Sequence, residues 1–166
     1  MQPVAFLFKG AVIMDRTEKE EYIIGCISLL SNQLTQFGDS ILPDITFKQW
    51  FLLMMISKME LEEKNINSIS EFVGTSRQNV KKMLTSLEKK GYIVFDKSKL
   101  DARSLKVTLT DKAYQYFVDN ANIAASETNK LFELFSLEEI DSLISSLEKL
   151  TDCLALYKGR KENHYE

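Results

Sequence analysis

The chain has 166 residues, 45% hydrophobic and 27% charged, which suits one ordinary folded unit with a core of its own. A net charge of only -3 excludes a uniformly basic nucleic-acid binder, so any attraction for phosphate must come from how the charges are distributed. Cys26 and Cys153 are isolated and lack C-x-x-C spacing, which argues against a disulfide framework or a thiolate metal site and suits a reducing cytoplasm.

The opening stretch to Met14 is apolar in patches, but Lys9 and Gly10 interrupt it too early for a signal or membrane segment. Residues 1–16 and 159–166 are expected to be flexible or extraneous, with Met14 a second candidate for the natural start. From Thr17 to Gly38, Ile23, Ile27, Leu30, Leu34 and Phe37 recur at helical steps and predict one apolar stripe, with Gly38 as the stop. Pro43 separates this helix from the next, which opens on the capping box Thr46-Phe-Lys-Gln49 and is expected to run from about Phe47 to Met59. Apolar nearly all round, it is expected to be buried between two layers.

Ser68-Ile-Ser-Glu71 reads as a second box, opening a short helix with Ile69, Phe72 and Val73 inward and Gly74 at its end. Thr75-Ser-Arg-Gln78 reads as a third. Two helices joined by so tight a Gly74-Thr75 connection form a helix-turn-helix. In the second, roughly Ser76 to Lys90, Val80, Met83, Leu84 and Leu87 share one side and Gln78, Lys82, Thr85 and Lys89 the other. Amide, hydroxyl and ammonium groups on that outer side suit base edges and phosphates.

Gly91 breaks this helix, and Tyr92-Ile-Val-Phe95 and Ser104-Leu-Lys-Val-Thr-Leu109 read as strands flanking a polar, mostly basic loop. A hairpin directly after such a helix is a wing. Between Ser76 and Lys106, nine basic residues face three acidic ones, a net +6; between Asp111 and Leu150, three basic face eight acidic, a net -5. Thr110 is expected to cap a long helix carrying Ala113, Tyr116, Phe117, Ile123, Ala124, Leu131 and Phe135. Ser136-Leu-Glu-Glu139 is a further capping box, before a last helix striped by Leu137, Ile140, Ile144, Leu147, Leu150, Leu154 and Tyr157. Terminal helices with such stripes suggest association with a second copy, the alternative being that they fold back on the core.

Three stretches in this order carry a family resemblance: Val73-Gly-Thr-Ser-Arg-Gln-Asn-Val-Lys-Lys82; Leu87-Glu-Lys-Lys-Gly-Tyr-Ile93; and Asp101-Ala-Arg-Ser104 with Leu109-Thr-Asp-Lys-Ala113. Over roughly Glu18 to Leu156 the chain resembles the MarR (multiple antibiotic resistance regulator) family, with Ala113 where members typically have glycine. The resemblance implies a mainly α fold with a small β-hairpin wing: a winged helix-turn-helix over 46–110 and a dimerisation region over 17–45 and 111–158. It implies a cytoplasmic homodimeric repressor on a pseudo-palindromic double-stranded operator, released by a small-molecule or oxidative signal. Thr75, Ser76, Arg77, Gln78, Asn79, Lys81 and Lys82 would then lie in or beside the major groove, with Lys97, Lys99 and Arg103 on the wing. Arg103 would enter a minor groove, and Asp101 would orient Arg103 or a neighbouring basic side chain. The family's effector crevice points to Phe37, Phe47, Trp50, Phe51 and Met54 as a candidate pocket for a small aromatic molecule, although such a cluster also reads as plain core. Some relatives sense oxidants through a cysteine in the first helix, where Cys26 lies with Tyr22 one turn before it.

Enzymatic ingredients are poor: the one histidine is His164, and no Gly-rich phosphate loop, Ser/His/Asp set or metal spacing occurs. No cofactor, metal or membrane partner is expected. A winged helix used only for protein contacts, an antirepressor, is the alternative function.

Overall fold

The computed structural model describes residues 14–97 and 105–162, with side chains to Tyr157. Among the described residues six helices and one two-stranded hairpin follow in the order α1 (Arg16–Ile41), α2 (Phe47–Lys58), α3 (Ile66–Val73), α4 (Arg77–Lys89), β1 (Ile93–Lys97), β2 (Leu105–Leu109), α5 (Asp111–Phe132) and α6 (Leu137–Glu162). The wing-tip residues Lys99, Asp101 and Arg103 and the tail with His164 lie outside the described residues.

Capping explains most helix starts, because a side-chain oxygen satisfies a backbone N–H that has no partner within the helix. Asp15 and Glu18 form a reciprocal box at α1, as do Thr46 and Gln49 at α2 and Ser136 and Glu139 at α6. Two caps differ from expectation. At α3 the cap is Asn65, whose side chain accepts from the Asn67 and Ser68 amides at 2.9 and 3.0 Å, so the helix begins before Ser68. At α4 the cap is Ser76, one residue after Thr75, accepting from the Asn79 amide at 3.3 Å. Thr110 also acts differently: its hydroxyl donates to the Gly91 carbonyl at 2.8 Å, and α5 starts beneath the Thr110 carbonyl.

Gly38 does not stop α1, which runs on to Ile41. It is buried, and a Cβ built there would lie 2.1 Å from Phe47 Cδ2, so the missing side chain is a notch that receives the Phe47 ring. The Phe47 amide donates to Asp39 Oδ1 at 2.6 Å and Trp50 stacks on the Phe47 ring, fixing the start of α2 against the end of α1. Nor is α2 buried on all sides: Leu52, Leu53 and Ile56 are fully buried whereas Phe51 is 37% exposed.

The core is assembled from α2, Ile69 of α3, Val80, Leu84 and Leu87 of α4, Ile93 and Val107 of the hairpin, and Ala113 and Tyr116 of α5. Each fully buried leucine or isoleucine contributes about 1.5–3 kcal/mol relative to exposure. Phe72, expected inward, is 48% exposed, because the eight-residue α3 packs through one side only, centred on Ile69. The strands pair antiparallel, with Ile93 opposite Leu109 and Lys97 opposite Leu105. The Val107 amide donates to the Lys64 carbonyl at 2.7 Å, tying β2 to the link between α2 and α3.

The chain divides into two compact units after Ala124. In the second, the Phe132 and Phe135 rings meet at 5.6 Å and Lys130 pairs with Glu127. Exposed apolar side chains run along α1 (Ile23, Ile27, Leu30, Leu34) and along α6 (Leu143, Ile144, Leu147, Leu154).

Candidate nucleic-acid interface

The turn between α3 and α4 is built on Gly74, whose φ of 71° is costly for a residue with a Cβ. It ends α3 with paired bonds, Gly74 N–H to the Glu71 carbonyl at 3.2 Å and Thr75 N–H to the Ser70 carbonyl at 3.1 Å, the Schellman arrangement. Ser76 then caps α4 at once, so only three residues, Gly74, Thr75 and Ser76, separate the two helices.

On α4 the inner side is closed by Val80, Leu84 and Leu87, spaced to fall on one helical face. Gln49 Nε2 donates to Ser86 Oγ at 2.9 Å and adds a polar pin from α2. Arg77, Gln78, Asn79, Lys81, Lys82 and Lys89 are left exposed. Gln78, Lys81, Lys82, Thr85, Ser86 and Lys89 line an open groove of about 510 Å³. Among the described residues the ion pairs join Arg16 to Glu20, Lys90 to Asp44 and Lys130 to Glu127, leaving the outward cations of α4 for another anion.

The far end of α4 repeats the device at the near end. Gly91, at φ 79°, ends the helix with its amide on the Glu88 carbonyl at 2.8 Å and the Tyr92 amide on the Leu87 carbonyl at 3.0 Å. The hairpin therefore leaves α4 at a fixed angle, and exposed Lys97 stands at its last described position on β1.

A cluster the sequence did not suggest surrounds this end. Tyr92 donates to Asp44 Oδ2 at 2.6 Å, Lys90 Nζ lies 3.7 Å from Asp44 Oδ1, and Tyr116 donates to the Pro43 carbonyl at 2.7 Å. Asp44, although exposed, is held below the usual carboxylate range, by the Tyr92 hydroxyl first and then by Lys90 and Lys112, against the desolvation its neighbours impose. Burial, then Asp44, pushes the Tyr92 phenol far up, and the same two causes raise Tyr116 to about 12. The available sequence clue was Tyr92 itself, since a tyrosine entering a core needs a partner for its hydroxyl.

The five candidate pocket residues do not stand alike. Phe47 fills the Gly38 notch, Trp50 packs on the core, Phe37 and Met54 are half-buried and Phe51 is exposed. None of them lines the α4 groove, nor a second cavity of about 210 Å³ beside Ile56, Lys64, Val107 and Tyr114. Cys26 is half-buried, and its contact with the Tyr22 hydroxyl raises that phenol. Among the described residues no set of His, Cys, Asp and Glu could hold a metal ion, and no helix is long and apolar enough to cross a membrane.

Comparison with known proteins agrees with this arrangement. The family model described as the MarR family matches residues 45–105, which span α2 to the start of β2. The HTH-type transcriptional regulator SarZ of Staphylococcus haemolyticus is 32% identical over 108 residues, 63% of this chain and 69% of the relative. The uncharacterized HTH-type transcriptional regulator YfiV of Bacillus subtilis is 27% identical over 90% of this chain and 91% of its own length. Among solved structures, a MarR protein from Peptoclostridium difficile superposes with a TM-score of 0.72 at 21% identity, covering 88% of this chain and 95% of that one. The MepR protein of S. aureus, solved as a complex with DNA, gives a TM-score of 0.65 at 21% identity over 78% of this chain and 94% of that one. The chain belongs to the MarR family of transcriptional regulators, which are not enzymes.

Proposed function

We propose that this regulator is a homodimer that binds a pseudo-palindromic duplex operator in the cytoplasm and represses transcription until a small-molecule or oxidative signal releases it. The observation that carries this reading is the outward face of α4, where amide, hydroxyl and cationic side chains stand exposed on a helix anchored by a fully buried Val80–Leu84–Leu87 ladder. Such a face suits the major groove, with Gln78 and Asn79 at base edges and Arg77, Lys81 and Lys82 at bases or phosphates. Thr75 and Ser76 approach the backbone at the helix N-terminus. Lys97 and Lys99 serve the adjoining phosphates, while Arg103, oriented by Asp101, reads the minor groove. The neighbour solved with DNA supports this use of the fold.

The dimer is supported by the exposed apolar stripes of α1 and α6, too extensive for lone helices to leave in water. The regions 17–45 and 111–158 form the subunit contact and 46–110 the DNA-binding lobe. Two copies present their α4 helices about one turn of DNA apart, so a signal acts by altering that spacing. An aromatic effector near Phe37, Phe47, Trp50, Phe51 and Met54, or oxidation of Cys26, is the proposed trigger.

The test is selection of duplexes by the purified protein, then titration of a selected duplex over a salt series, with the molecular mass measured in parallel. A dimer with sequence preference and a logarithmic slope of about -0.9 per neutralised phosphate is expected. A monomer, or equal binding of all duplexes at low salt, refutes the reading and favours a protein-contact module.

A further inference from the structure

Between α1 and α2 the chain turns through Pro43-Asp44-Ile45, where the Ile45 amide donates to the Pro43 carbonyl at 2.7 Å and Asp44 adopts a φ of 66°. Apart from glycines, no other described residue has a positive φ. Glycine would relieve this backbone, so an aspartate there indicates use of its side chain. Its use is visible: one carboxylate oxygen takes the Tyr92 hydroxyl and the other faces the Lys90 ammonium, which also donates to the Asp44 carbonyl. Lys90 closes α4 and Tyr92 leads into β1.

Helix α5 fastens the same point from the other side. Tyr116 donates to the Pro43 carbonyl and meets the Tyr92 ring edge-on at 5.4 Å. Lys112 donates to the Lys90 carbonyl at 2.7 Å, with its ammonium 4.5 Å from the Tyr92 ring centroid. Tyr92 and Tyr116 are buried, so their hydroxyls depend on these partners.

We propose that Asp44 is a positioning residue for nucleic-acid binding: it latches the C-terminal end of α4 and the root of the wing to the link that joins α1 to α2. This rests on the reading of α4 and the hairpin as the DNA-contacting elements. Asp44 touches no nucleic acid; it sets the angle at which those elements are presented, and it makes that angle depend on where α1 ends.

The experiment compares wild type with Asp44→Asn, which tolerates the same backbone but drops the charge, and with Tyr92→Phe, which keeps the ring and core. Amide exchange over residues 87–93 and 108–116 is expected to quicken about tenfold in both variants, with 69–76 unchanged. At fixed salt the affinity for a selected duplex falls about tenfold, and the salt slope becomes shallower by about one, which partial unfolding would not produce. Unchanged exchange, or unchanged affinity and slope, overturns the latch. Should wild type bind no duplex, the function reading falls by itself, and the exchange data still decide whether Asp44 holds the junction. If Asp44→Asn does not fold, Tyr92→Phe carries the test.

Discussion

Replacing Gly38 by alanine sets a favourable backbone effect against an unfavourable contact, and the distances decide between them. In a helix interior the change gains about 1 kcal/mol from propensity. The new Cβ would lie 2.1 Å from Phe47 Cδ2, 2.5 Å from Cγ and 2.7 Å from Cβ, so rotating the ring cannot relieve every clash. Sliding α2 away is opposed by the Phe47 amide bond to Asp39 at 2.6 Å. Overpacking of this kind costs about 1–3 kcal/mol, occasionally more, and here belongs at the upper end. The expected outcome is a net loss of about 1–2 kcal/mol in urea unfolding, measured at one protein concentration so that association does not distort the midpoint. In a Phe47→Ala background only the contact to Cβ remains, and the same substitution should cost at least about 1 kcal/mol less, an interaction energy a double-mutant cycle reads directly. Equal costs in the two backgrounds, or a Gly38→Ala protein as stable as wild type, would refute the notch.

Gly74→Ala meets no atom within 4 Å, so its cost is conformational alone, about 1–2 kcal/mol in the same urea assay; an unchanged midpoint would mean the turn is not held left-handed. Lys82→Ala is expected to weaken all duplexes alike and make the salt slope shallower by about one, whereas a loss confined to the preferred sequence would make Lys82 a base reader. The lowered pKa of Asp44 gives the unfolded chain the greater proton affinity, so its contribution is complete above the unfolded value of about 4 and is lost as pH falls through the folded one. The raised Tyr92 and Tyr116 act oppositely: their contribution is complete below about pH 10 and disappears as pH rises through the folded values. The stability gap between wild type and Asp44→Asn should therefore narrow between pH 6 and pH 3 in urea titrations, and a constant gap would contradict the ionic role.

What was legible in the sequence was local. The Val80–Leu84–Leu87 spacing and the boxes at Thr46 and Ser136 are patterns within one or two turns, and they gave the right helices and the right outward face. Gly38 misled because a glycine that ends a helix and one that admits a neighbouring ring look alike until the neighbour is known. Asn65 and Ser68 both suit a cap, so the sequence alone does not tell them apart; in the structure Ser68 returns the bond, accepting from the Asn65 amide at 3.0 Å. The Asp44 junction joins residues 48 positions apart, and the Tyr116 bond spans 73, so no window of periodicity contains it.

The outward side chains of α4 have few partners in the protein, so their aim is fixed from behind. Val80, Leu84 and Leu87 fix the helix's depth, the Gln49–Ser86 bond opposes rotation about its axis, and left-handed glycines at positions 74 and 91 fix both exits. A residue that touches DNA and one that aims it can lower affinity equally, yet they differ in what else changes. Losing a phosphate contact alters the salt slope and leaves amide exchange as it was; loosening the frame alters both. Comparing Lys82→Ala with Asp44→Asn on those two readouts therefore separates contact from aim, which the affinity alone would confuse.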